Sequence, residues 1–229
     1  MRKTFLAVSA AICLATAVSA AEFINVLTGG TSGIYYPLGV ALSQMYAKAI
    51  QDSKTAVQAT KASVENLNLL QAGRGEAAIS LGDSLSDAYK GNTEAGFKAP
   101  LSKLRTISAL YPNYIHFVAA ADSGIKSFDD IKGKRISVGA PKSGTELNSR
   151  AILAAAGISY KDFAKVEYLS YAESVELMKN RQLDVTLLSS GAGVAALRDL
   201  ATSQKVVFLT IPEEIVKEAV EKALSLLGS

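Results

Sequence analysis

The chain has 229 residues and a formal net charge of +3, without a block of like charge. That balance excludes the basic surface on which nucleic-acid binding depends. Its single cysteine, Cys13, lies near the start, so the remainder is denied disulfides, a thiol nucleophile and a zinc-thiolate site.

The first twenty residues read as a secretory signal peptide, with Arg2 and Lys3 as a basic start, an apolar run over 5–18 and Val18-Ser19-Ala20 as a small-x-small cleavage site. The run is too short for a comfortable transmembrane span. Cleavage after Ala20 leaves 209 residues and a net charge of +1. A chain of that size has to rely on one or two hydrophobic cores. A periplasmic location is expected.

Residues 23–27 are apolar and β-branched and meet the cluster T-G-G-T-S-G at 28–33. A helix is expected over 36–50, with Leu38, Leu42, Met45 and Ala49 inward. The order is strand, Gly-rich turn, helix start. The first N–H groups of a helix have no partner within it, and the helix dipole makes them positive. Gly30, Thr31, Ser32 and Gly33 therefore form a candidate site for a carboxylate or phosphate. Tyr35 and Tyr36 are adjacent at the helix start, so one of them faces the cleft.

A strand is expected at 55–59, a helix from Ser63 with Val64, Leu67 and Leu70 inward, and a strand at 77–81 ending in Gly82-Asp83-Ser84. Asn66 is either a ligand contact or a satisfier of local backbone. Asp83 is either a cleft acceptor for an ammonium group or a helix cap, with the cleft favoured. Residues 89–101 read as a surface loop, and 104–110 and 115–120 as strands flanking Tyr111-Pro112-Asn113. The crossing between halves is expected near 117–121.

The second half repeats the first. Ser143 follows Ser32 by 111 residues, and Ser63-Val64-Glu65 and Ser174-Val175-Glu176 each follow their serine by 31. Ser143 and Glu146 have capping-box spacing, so Ser143, Gly144 and Thr145 offer a second helix start to the same ligand. Strands are expected at 135–139, 166–170, 185–188 and 206–210, with helices at 145–156, 173–180, 191–200 and from 212 onward.

These motifs, T-G-G-T-S-G-I-Y-Y-P-L-G (28–39), S-V-E-N-L-N-L-L (63–70), L-G-D-S (81–84), L-Y-P (110–112) and G-K-R-I-S-V-G-A-P-K-S-G-T-E (133–146), resemble the TAXI family of solute-binding proteins, the receptors of TRAP-type transporters. The resemblance implies an α/β, two-lobed, periplasmic-binding-protein-like fold of type II with a ligand cleft between lobes. Lobe I would span 21–118 and lobe II 119–229. It implies capture of a small acidic solute, glutamate-like or a dicarboxylate, and delivery to TRAP permease subunits. A monomer without cofactor or metal is expected. Ligand contacts carried over by motif are Gly30, Thr31, Ser32, Gly33, Tyr36, Asn66, Asp83, Tyr111, Ser143, Gly144 and Thr145. Gly82 stands where relatives often carry Gln or Asn. Such receptors also continue further, so the family's C-terminal return to lobe I is expected to be missing.

The alternative is an exported enzyme of the same architecture acting on an acidic metabolite. The sole histidine, His116, lies in an apolar strand and reads as structural, and no G-x-S-x-G is present. An intracellular sensing domain conflicts with the signal peptide.

Overall fold

A computed structural model describes residues 21–227. The expected signal peptide lies outside the described residues. Two sheets organise the chain, with strand orders β2-β1-β3 and β6-β5-β7-β4-β8.

The first sheet is built from β1 (Phe23–Leu27), α1 (Tyr35–Ala49), β2 (Lys54–Gln58), α2 (Ser63–Gln71) and β3 (Ala77–Ala78). Both strand pairs are parallel. The second repeats that path with β5 (Arg135–Ser137), α4 (Gly144–Ala155), β6 (Lys165–Glu167), α5 (Tyr171–Lys179) and β7 (Val185–Ser190), again parallel with the first strand central. Between them run α3 (Gly82–Lys90), a long connection and β4 (Tyr114–Ala120). The chain then continues through α6 (Ala195–Ser203), β8 (Val206–Leu209) and α7 (Glu213–Leu227). The spaced serines thus mark two βαβαβ units of one topology.

β4 pairs antiparallel with β7 and β8 along its length. The expected lobe boundary at 118/119 falls inside this strand. The chain has already crossed to the second sheet by Tyr114.

Helix α1 buries a different stripe from the one expected. Gly39 and Ser43 face the sheet, whereas Met45 is 63% exposed. Small residues let the helix approach closely: a Cβ on Gly39 would lie 2.3 Å from Thr28 Cγ2. The expected strand at 104–110 does not form, and Ile107 stands 83% exposed. Both sheets pair their strands without it, so β propensity finds no ladder to join. Nor is 89–101 a mere surface loop. Ala95, Phe97 and Leu101 turn inward with Leu104 and close a core against Val64, Leu67 and Ala88 of α2 and α3.

The second sheet carries apolar packing on both faces. Phe117, Ile136, Val185 and Leu187 pack with Ile152 and Leu153 of α4, and Ile215 and Ala219 of α7 join them. Val118 and Leu188 pack with Val175 and Met178 of α5 and Leu197 and Leu200 of α6. All six residues of β7 are buried, as a strand covered on both faces requires.

Candidate binding cleft

Four helix N-termini open onto one cavity of about 120 Å³ between the two units. Ser32, Gly33 and Tyr35 bring the start of α1, and Ala62 and Ser63 the start of α2. Ser143, Gly144 and Thr145 bring that of α4, and Ser170 and Tyr171 that of α5.

The α1 end is shaped by the loop after β1. Gly33 N–H donates to Gly30 O at 3.0 Å, and the N-cap residue Ile34 gives no side-chain cap. The α2 end depends on Ala62, whose φ of 72° is rare for a residue with a Cβ. A polar staple holds it. Ala62 N–H donates to Thr60 Oγ1 at 2.9 Å, and that hydroxyl donates to Asn66 Oδ1 at 2.6 Å. Asn66 Nδ2 donates to Thr28 O at 2.6 Å and to Ile79 O at 2.9 Å. The amide of Asn66 is spent within the first unit, and the residue is fully buried. It positions the loops and does not line the cavity.

In the second unit Ser143 caps α4, accepting from Glu146 N–H at 3.1 Å and donating to Ala140 O at 2.7 Å. Gly144 and Thr145 occupy helix positions whose N–H groups lack an intrahelical acceptor. Tyr171 donates to Ser189 O at 2.7 Å, which leaves Thr145 Oγ1, 2.8 Å away, as donor to the phenol oxygen. At the α5 end Ser170 and Glu173 form a reciprocal capping box.

The two units touch across the cavity. Glu65 N–H donates to Lys142 O at 3.1 Å, and Ala196 N–H to Ser32 O at 3.2 Å. Arg150 Nη1 donates to Glu94 O at 2.8 Å. Asp83 accepts from Asn148 Nδ2 through one oxygen and from Ser84 N–H, at 2.6 Å, through the other. It is a local turn cap and an inter-unit tie, not the cleft acceptor expected. A Cβ on Gly144 would meet Leu81 Cδ1 at 2.5 Å and Ser63 Oγ at 2.8 Å, so the facing helix starts close only over a glycine.

Of the residues expected at the site, Gly30, Ser32, Gly33, Tyr111, Ser143, Gly144 and Thr145 line the cavity. Thr31 is exposed beside it, and Tyr36 yields its place to Tyr35. The helix starts at Tyr35, one residue earlier than expected, which decides which ring points inward. Tyr35 and Tyr111 meet edge to face, with ring centres 6.4 Å apart. Burial pushes both phenols far above the ordinary tyrosine range, so they stay protonated donors. The Tyr111 hydroxyl is buried with no hydrogen-bond partner.

Sequence reasoning missed Tyr35, Lys61, Tyr171 and Ser189 as lining residues. One signal was available: Thr60 follows Ser32 by 28 residues, and Tyr171 follows Ser143 by 28. His116 is absent from the lining. It packs edge-on against Phe208, and burial lowers its pKa.

Similar solved structures share this architecture. The alkanesulfonate-binding protein SsuA from Xanthomonas axonopodis pv. citri, bound to MOPS, is 16% identical with a TM-score of 0.57, over 91% of this chain and 73% of that one. An ancestral arginine-binding protein bound to arginine is 15% identical with a TM-score of 0.55, over 90% and 97%. A binding protein component of an ABC phosphonate transporter from Pseudomonas aeruginosa is 12% identical with a TM-score of 0.55, over 91% and 80%. At such identities the likeness is one of fold. The α/β architecture with a cleft between two units is that of type II periplasmic binding proteins. Residues 26–226 match the model of the NMT1-like family, and the chain belongs to that family.

Proposed function

We propose that the protein is an extracytoplasmic receptor that captures a small acidic solute, a glutamate-like amino acid or a dicarboxylate, and hands it to a membrane permease. One observation carries this reading. Four helix N-termini converge on a cavity of about 120 Å³ whose lining includes no acidic side chain. Each helix start acts as roughly half a positive charge. Three or four charge-assisted hydrogen bonds of about 1.5–3 kcal/mol each, at the upper end of that range, reach the roughly −8 kcal/mol of micromolar affinity once association costs are met. The two units act as lobes that close over the solute by hinge motion.

The resemblance to TAXI proteins favours a TRAP permease driven by an ion gradient, and the leader-like residues 1–20 favour a periplasmic location. Several similar structures carry the names of ABC transporter components instead. Uptake of the bound solute that collapses with the ion gradient at constant ATP supports the TRAP assignment; uptake that follows ATP overturns it.

Calorimetric titration of the purified protein with small carboxylates tests the receptor reading. Saturable heat at one site per chain, with the solute recovered unchanged, is the expected result. Product formation favours an enzyme, and binding of only neutral or cationic solutes overturns the acidic-solute assignment.

A further inference from the structure

We propose that the solute is a small organic acid without an ammonium group, so that the protein discriminates against α-amino acids of the same skeleton. The inference rests on the acidic-solute reading above and chooses between its two ligand classes.

An α-ammonium group bound in the cavity needs a counter-charge, because a buried unpaired charge is costly. None is available. The lining includes no aspartate or glutamate. The acids around it lie outside the lining and hold hydrogen bonds of their own. Asp83 is bound to Ser84 and Asn148. Asn148 Oδ1 accepts from Ser189 Oγ at 2.6 Å, and Asn113 Nδ2 donates to the same Ser189 hydroxyl at 2.7 Å. Asp83 therefore anchors a polar chain across the cleft. Glu65 accepts from Lys61 N–H at 2.6 Å. Glu146 is paired with Arg150 and accepts from the Tyr160 hydroxyl at 2.9 Å. Glu173 is held in the Ser170 capping box. A cation in the cavity would also face four positive helix ends.

The groups that do face the cavity suit carboxylates. Tyr111 lines the wall, with its hydroxyl buried and without a partner. Lys61 is the one charged side chain in the lining, and it is exposed. A carboxylate seated on the helix starts, with a second carboxylate reaching Lys61, uses the groups that face the open space. Charge complementarity then excludes the amino acid by leaving its ammonium unpaired.

Calorimetry on two matched pairs, glutarate against glutamate and succinate against aspartate, isolates the ammonium. The expected result is at least tenfold tighter binding of the des-amino acid in the pair that binds. Lys61→Ala is expected to weaken the dicarboxylate while leaving the melting temperature unchanged. Equal or tighter binding of glutamate or aspartate overturns the inference and leaves the acidic-solute reading standing. Absence of binding by all four overturns both.

Discussion

The two βαβαβ units share strand order and direction, yet they begin their helices differently. In the first, neither α1 nor α2 has a side-chain cap. In the second, Ser143 and Ser170 cap α4 and α5. Capping satisfies N–H groups that an anion could otherwise use. In the first unit the Glu65 N–H goes instead to Lys142 O across the cleft, and Pro37 of α1 has no N–H to give, so the second unit is the wall anchored by its own side chains. The closing strands differ in the same sense. β3 has two residues at a sheet edge, while β7 has six between β5 and β4. One topology is thus anchored in two ways.

The comparison breaks most sharply in the cores. Phe97→Ala should destabilise the protein by about 3–5 kcal/mol, because the ring is fully buried in a core formed partly by loop residues. A melt shifted by less than a few degrees would mean that this connection is not part of the first unit's core. Next comes Gly144→Ala, which puts a methyl group into Leu81 and Ser63 across the cleft. Overpacking costs about 1–3 kcal/mol, and on the proposed hinge closure it falls on the closed state. Solute affinity should drop on the order of 10- to 100-fold with little change in the ligand-free melt. Unchanged affinity would show that closure does not bring these helix starts together.

Acid should weaken the second unit through a pair it alone possesses. Arg135 donates twice to Asp184 from its guanidinium, at 2.6 and 2.9 Å, and once from its N–H, at 2.8 Å. These bonds hold the Asp184 carboxyl below the ordinary aspartate range. A depressed carboxyl contributes stability above its unfolded value, near about 3.9, and loses it as pH falls through the folded one. Asp184→Asn should therefore melt lower than the parent at neutral pH, with the gap narrowing below pH ~4. A gap independent of pH would assign the loss to packing.

Ser143→Ala should cost about 1 kcal/mol through loss of the α4 cap, visible in the melt. It should weaken solute binding modestly, because Gly144 and Thr145 keep their N–H groups. Thr31→Ala is the smallest change expected, within about 0.5 kcal/mol on stability and without effect on affinity, since Thr31 is exposed beside the cavity. A large loss of affinity would place its hydroxyl on the solute.

Much of this arrangement was legible before any coordinates. Strand, Gly-rich turn and helix start announced themselves by local chemistry, and the matched serine spacings correspond to the shared topology of the two units. What escaped depended on tertiary partners. Asn66 and Asp83 carry polar groups that look free in sequence, yet Thr28, Ile79 and Asn148 occupy them. Tyr35 and Tyr36 differ only in helical phase, which a one-residue shift of the helix start reverses. The apolar run at 104–110 has strand composition, but nothing pairs with it.

On the acidic-solute proposal, the hold on an anion between the two units would come from peptide groups, neutral hydroxyls and Lys61 rather than from histidine or arginine. Backbone dipoles have no proton to gain or lose, so on that proposal mild acidification would leave the hold in place while the solute's own carboxylates stay ionised. The dipoles also stay in place when side chains away from the helix starts change. Substitutions around the far end of the cavity can therefore remodel the tail of the solute over evolutionary time while the hold on its head group persists.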